Sequence, residues 1–228
     1  MRTIVLVLAT LTASARLAFA AGVAPEESGW VSLFDGKTLD GWVQRGGKAE
    51  YRIEDGVVIG RSAPNTPNSF LCTKRDYTNF VLELEFKVDP GLNSGIQVRS
   101  QCLDKPTSFE WKNRQIKVSA GRVHGLQVEI DPSERAWTAG VQEEGARAWL
   151  NDLKNNEPAR RAFKKEDWNH LRIECRGDSI KTWLNQVAAA DLHDSRVSAG
   201  FIGLQVHGVG RNTKVLEVRF RNARVKEL

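Results

Sequence analysis

The side chains best suited to chemistry in this 228-residue chain lie in a short pattern that occurs three times. It reads Gly95-Ile96-Gln97-Val98-Arg99, Gly125-Leu126-Gln127-Val128-Glu129 and Gly203-Leu204-Gln205-Val206-His207. Each copy runs glycine, aliphatic, glutamine, valine, then a side chain that can carry charge. Successive side chains of a β-strand point to opposite faces. Ile96/Val98, Leu126/Val128 and Leu204/Val206 therefore turn toward a core. Gln97/Arg99, Gln127/Glu129 and Gln205/His207 fall on the other face if the three strands share one sheet. Amides both donate and accept hydrogen bonds, which suits sugar hydroxyls. A guanidinium, a carboxylate and an imidazole add the means for proton transfer and charge stabilisation. Glycine ahead of each pair leaves room for a ligand or another backbone. A merely solvated sheet face explains the alternation, but it favours Thr, Lys and Glu over three Gln-Val pairs. The pattern predicts a ligand site.

The elements that must position these residues read as strands. Residues 80–88 alternate cleanly, with Glu83, Glu85 and Lys87 on one side, and end at Asp89-Pro90-Gly91. Residues 51–59 break at Glu54-Asp55-Gly56, a hairpin signal. Segments 170–176 and 180–185 pair across Gly177-Asp178, and 216–226 is a last alternating run. Many short strands in one chain predict an all-β sandwich or barrel. The exception is 143–165, rich in Ala, Arg, Asn and Lys and interrupted by Pro158, which reads as a short helical excursion. No linker divides the chain, so residues 21–228 read as one domain.

Residues 1–20 read as a secretory signal, with Arg2, an apolar stretch over 4–11 and Ala18-Phe19-Ala20 as the cleavage site. That stretch is too short to span a bilayer. The expectation is a secreted or periplasmic protein with no stable membrane span after cleavage. Losing Arg2 and Arg16 takes the net charge from +5 to +3. Charges of both signs are interspersed without a basic stripe, which argues against a nucleic-acid partner. Three cysteines, Cys72, Cys102 and Cys175, leave at least one unpaired. No CxxC pair or Cys–His cluster suggests structural zinc. Trp30, Trp42, Trp168 and Trp183 read as packing residues. For Trp111, Trp137 and Trp149, in polar segments, sugar stacking is as good a reading as packing.

Several motifs together resemble the 3-keto-disaccharide hydrolase domain family. They are Phe34-Asp35-Gly36-Lys37-Thr38-Leu39-Asp40-Gly41-Trp42, Asn93 to Arg99, Gly125 to Ile130, Asp167-Trp168-Asn169-His170, Ile202 to Gly208 and Arg219-Phe220-Arg221-Asn222. The resemblance covers about residues 30–228. Asn185-Gln186 departs from the family's usual Asn-Gly, at a turn. The resemblance implies a concanavalin A-like jelly-roll sandwich of two antiparallel sheets. It also implies cleavage of sugars oxidised at C3, by hydrolysis or by elimination and hydration. A C3 ketone acidifies the C2 hydrogen, so a base can form an enolate and expel the glycosidic oxygen from C1. On this reading Glu129 or His207 is the base and the other assists the leaving group. Arg99 or a divalent metal ion stabilises the enolate oxygen. Asn93, Gln97, Gln127 and Gln205 hold the sugar ring, with Asp131 on the same strand face as Glu129. Glu129 and His207 are the candidate metal ligands. A conventional jelly-roll glucanase carries Glu-x-Asp-x-Glu on one strand, and Glu129-Ile130-Asp131-Pro132-Ser133 supplies only the first two acids. The alternative is a non-catalytic carbohydrate-binding module on the same fold.

Overall fold

A computed structural model describes residues 29–228, so the signal-peptide segment read at 1–20 lies outside the described residues. The chain opens with β1 (Trp30–Ser32), β2 (Trp42–Gly46), β3 (Glu50–Glu54) and β4 (Val57–Arg61). The long strands β5 (Ser69–Tyr77), β6 (Phe80–Val88) and β7 (Ser94–Cys102) follow. Next come β8 (Thr107–Trp111), β9 (Arg114–Val118), β10 (Val123–Ile130), β11 (Val141–Glu144) and β12 (Ala148–Asn151). A single helical turn, α1 (Glu157–Arg161), leads to β13 (Asn169–Arg176), β14 (Ser179–Leu184), β15 (Val187–His193), β16 (Gly200–Val206) and β17 (Glu217–Glu227). The first sheet runs β15-β14-β13-β6-β17-β4-β3, with β1 added on β17. The second runs β12-β11-β10-β7-β16-β5-β2, and β8–β9 stands as a separate hairpin. Among the described residues, every strand pairing in the two large sheets is antiparallel. This is the two-sheet jelly-roll sandwich that the alternation and the resemblance predict.

The core lies between the sheets and follows the period of two. Phe80, Leu82, Leu84 and Phe86 of β6 meet Ile96 and Val98 of β7, Leu126 and Val128 of β10, and Leu204 and Val206 of β16 in one cluster. Each such buried side chain contributes about 1.5–3 kcal/mol of transfer free energy. Glu83 and Glu85 emerge on the solvent side of the first sheet, paired with Arg172 and Arg224 and with Arg221. Trp183, Trp30 and Trp168 lie under those arginines, at 5.7, 4.4 and 3.9 Å from guanidinium to ring centre. Three of the tryptophans read as packing residues thus cover the outside of this sheet, whereas Trp42 is buried and stacks on Phe34. All three cysteines are free. Burial pushes the Cys72 and Cys175 thiols up to about 12, which leaves neither a ready nucleophile.

Two expectations need correction. The segment 143–165 is helical only at Glu157–Arg161, where Asn156 caps the turn and Pro158 sits in its first turn, starting the helix rather than interrupting it. Its earlier part forms the β11–β12 hairpin, where Val141 and Glu143 turn inward and Gln142 and Glu144 outward. The second correction concerns Arg99. The register of β7 shifts against β16 between Phe201 and Gly203, and against β10 between His124 and Leu126. The extra residue is Arg99, with φ of +47°. A bulge inserts one residue and so reverses the facing of whatever follows it. Arg99 leaves the face that holds Gln97 and Glu129. Its wholly buried guanidinium donates to Thr78 O at 2.6 Å, Gly177 O at 2.6 Å and Asn79 Oδ1 at 3.2 Å. It ties β7 to turns of the first sheet, far from any enolate oxygen held over Gln97. Glycine flanks the bulge on both sides. A Cβ on Gly200 would lie 2.5 Å from Arg99 C, and one on Gly125 would lie 2.7 Å from Ser100 Cα.

Replacing Arg99 by Met removes all three hydrogen bonds that a wholly buried guanidinium makes to Thr78, Gly177 and Asn79. Urea unfolding should show a loss of about 2–4 kcal/mol, and an unchanged midpoint would contradict this placement of the guanidinium.

Candidate functional site

The face of the second sheet turned away from the core carries the repeated glutamines. Gln127 of β10 sits opposite both Gln97 of β7 and Gln142 of β11. Glu129 sits opposite Gly95, which in turn sits opposite Gln205 of β16. These registers bring the side chains into one hydrogen-bonded ladder. Ser100 Oγ donates to Gln97 Oε1 at 2.7 Å, and Gln97 Nε2 donates to Gln127 Oε1 at 2.6 Å. Gln205 Nε2 donates to the same Gln127 oxygen at 2.8 Å. Gln127 Nε2 then donates to Glu129 Oε2 at 2.9 Å. Glu129 also accepts from Gln142 at 2.8 Å, Asn93 at 2.7 Å and Arg135 at 3.3 Å.

The sequence motif thus brings Asn93, Gln97, Gln127, Glu129 and Gln205 together, in a different role from the one expected. Gln97, Gln127 and Gln205 are each 0% exposed, and Glu129 is 2% exposed. They form a buried floor. Gly95 leaves room for a side chain rather than a ligand, because a Cβ there would lie 2.7 Å from Gln127 Cδ. Burial raises the Glu129 pKa, and hydrogen bonds from Asn93 and Gln127 with the charge of Arg135 offset that only in part. Asp131 is buried in the adjoining turn. It accepts from the Ser133 hydroxyl at 2.5 Å and from Arg135 Nε at 2.8 Å. Burial pushes Asp131 up, but Ser133 and Arg135 hold it below its ordinary value. Its role is to fix the 131–138 turn. Arg135 lies against both Trp137 and Trp149, at 4.9 and 5.0 Å, so these rings brace the arginine that reaches Glu129.

The groups open to a ligand lie beside this floor. A cleft of about 390 Å³ is lined by Gly46, Pro67, Asn68, Phe70, Arg122, Val123 and Glu144, together with Gly121. Phe70 and Val123 belong to a small apolar cluster with Cys72 and Phe201, separate from the main core. Glu144 meets Gln205 Nε2 at 3.4 Å and Asn68 Nδ2 at 3.5 Å through Oε2, and Arg122 lies 3.9 Å from Oε1. Burial raises its pKa, while Arg122 and His207 pull it down and Glu129 adds to the rise. His207 lies just past the end of β16, exposed, and its Nδ1–H donates to the Gly208 carbonyl at 2.8 Å. Glu143, the neighbour of Glu144, turns the other way and pairs with Arg147 and Arg196.

Glu129 and His207 do not fit a divalent metal ion. Both Glu129 oxygens are taken up by N–H donors, and among the described residues no group of three His, Cys, Asp or Glu side chains gathers around a common point. Asn68, Glu144, Arg122 and Gln142 escape the sequence reading. The signal for two of them is the alternation over 141–144, masked by the polar, alanine-rich run that follows it.

A match to the 3-keto-alpha-glucoside-1,2-lyase-like domain covers residues 29–226. The chain belongs to this family. A curated relative, the 3-keto-disaccharide hydrolase of Bacteroides thetaiotaomicron, is 26% identical over 89% of this chain and 80% of its own length. Among solved structures, a Parabacteroides distasonis protein provisionally assigned to the glycosyl hydrolases aligns with a TM-score of 0.55 and 17% identity, over 88% of this chain and 94% of its own. A Bacillus subtilis protein of unknown function with a galectin-like fold aligns with a TM-score of 0.56 and 12% identity, over 82% and 89%. These two likenesses show the sandwich fold. Among the described residues no helix is long and apolar enough to cross a membrane.

The raised pKa of Glu144 has a direct consequence for stability. A carboxyl held above its ordinary value of 4.5 keeps a proton in the folded chain that the unfolded chain has released. Folding stability from this group therefore falls as pH rises from about 4.5 to the raised folded value. Urea unfolding across that window should show the unaltered protein losing stability relative to Glu144→Gln. A difference that stays flat or grows with pH would contradict the shift.

Proposed function

We propose that this protein cleaves the glycosidic bond of 3-keto-glycosides in the cleft beside Glu144, by hydrolysis or by β-elimination followed by hydration. The observation that carries the reading is the make-up of the cleft. It sets the apolar side chains of Phe70, Pro67 and Val123 against a rim of Asn68, Arg122 and Glu144. A pyranose ring has an apolar C–H face and a polar edge of hydroxyls and, here, a ketone. Such a cleft meets both, and its volume falls within the usual range for small-ligand sites. Family membership and the name of the curated relative point to the same substrate class.

The chemistry follows from the ketone. Carbonyl conjugation stabilises charge left at C2, so the protein needs one group to carry a proton and a positive charge near the developing enolate. The rim supplies a carboxylate and Arg122. Glu129, filled with donors, is unsuited to be the nucleophile of an ordinary retaining glycosidase. It serves as the fixed acceptor that orients the amide ladder beneath the cleft. A bare carbohydrate-binding module has no use for a half-buried carboxyl of raised pKa at its ligand's edge. The protein acts outside the cytoplasm, after loss of residues 1–20, and its partner is carbohydrate rather than nucleic acid.

Purified protein incubated with 3-keto-glucosides of both anomers should release the aglycone, with ordinary glucosides left intact. A transient ultraviolet absorbance from a conjugated enone identifies elimination, and release without it identifies hydrolysis. No release from either anomer would turn the assignment to a non-catalytic binding module.

A further inference from the structure

The carboxylates in and around the cleft are not equivalent. Glu129 accepts four hydrogen bonds, three of them at 2.7–2.9 Å, and has no lone pair to spare. Asp131 is bound up by Ser133 and Arg135 in its turn, and Glu143 is committed to two arginines away from the cleft. Among the described residues, Glu144 is the one acidic side chain that lines the cleft. Its polar partners stand at 3.4–3.9 Å, too far to occupy it. Gln205 is wholly buried and its Oε1 has no donor, so the amide that touches Glu144 carries a free acceptor.

We infer that Glu144 is the base that removes the C2 hydrogen of the 3-keto sugar. This rests on the function proposed above and replaces Glu129 and His207 in that step. The C2–H electron pair becomes the C2=C3 bond of an enolate as the proton moves to a Glu144 oxygen. The enolate then re-forms the C3 ketone and the C1=C2 bond, and the C1–O bond breaks. The leaving oxygen takes a proton from Glu144 or water, and water later adds across C1=C2. No oxidant or reductant is needed. Arg122, on the same rim, is placed to balance the charge on the enolate side. The pKa raised by burial supports this geometry, since a carboxylate nearer neutrality is a stronger base.

Enolisation can be read apart from cleavage in a 3-keto-1,5-anhydrohexitol, which has no leaving group at C1. In deuterium oxide, proton NMR should show the unaltered protein exchanging the C2 hydrogen faster than C4 and faster than buffer. Glu144→Gln should slow that exchange about 100-fold or more, with a melting midpoint near that of the unaltered protein. If the Gln variant does not fold, Glu144→Asp, which withdraws the carboxylate by one methylene, should slow exchange at least about tenfold. A Glu144 variant that exchanges C2 at full rate, while the unaltered protein cleaves 3-keto-glucosides, overturns the inference and leaves the proposed function standing. Cleavage by the unaltered protein without C2 exchange does the same. Neither cleavage nor exchange overturns both.

Discussion

A carboxylate placed in the middle of a sheet face and shut off from water has to find donors, and Glu129 is that carboxylate. Desolvation works against its charge, and the protein answers with Asn93, Gln127, Gln142 and Arg135 from four different segments. Two of these donors, Gln127 and Arg135, are constrained in turn. Gln127 takes its orientation from Gln97 and Gln205, Gln97 from Ser100, and Arg135 from Asp131 and two tryptophan rings. Hydrogen-bond networks in a low dielectric are costly when half-satisfied and specific when complete. This one fixes the registers of β7, β10, β11 and β16 from the side opposite the apolar core. The cleft beside it inherits rigidity from the ladder, and Glu144 inherits its elevated proton affinity partly from the charge on Glu129.

The bulge at Arg99 is the counterpart of that ladder. Without it, regular alternation would put a guanidinium on the face that holds the amides. The bulge sends the arginine to the turns at Thr78 and Gly177 and brings Ser100 against Gln97 instead. Positive φ at a non-glycine residue costs free energy. Here three hydrogen bonds from the buried guanidinium offset it, and Gly125 and Gly200 give the space. One residue of register thus separates a structural cation from a catalytic one.

Much of this was legible in the amino acids. The alternation of Phe80, Leu82, Leu84 and Phe86 against Glu83 and Glu85 gave the strand and its buried face directly, because burial imposes the period. The same period set Gln97, Gln127, Glu129 and Gln205 on one side, and they do meet there. Two things were hidden. A bulge leaves no mark in composition, so Arg99 read as a third functional side chain. Whether a polar face is open or covered depends on what folds over it, and Arg135, Gln142 and Asn93 come from turns and a short strand that period alone does not place. Glu144 was lost for a related reason: four alternating residues, Val141 to Glu144, are too few to stand out ahead of a polar, alanine-rich run.

On this reading the buried amide ladder is a floor, and ligand contact falls to the cleft beside it. A crystal structure of the protein with a non-cleavable 3-keto sugar tests this most directly. The ring should lie in the cleft bounded by Asn68, Arg122 and Glu144, with C2 facing the Glu144 carboxylate and the Gln97–Gln127–Gln205 hydrogen bonds intact. A sugar bound directly to those three amides, with the ladder broken open, would contradict it, as would a ring seated on the solvent face of the first sheet.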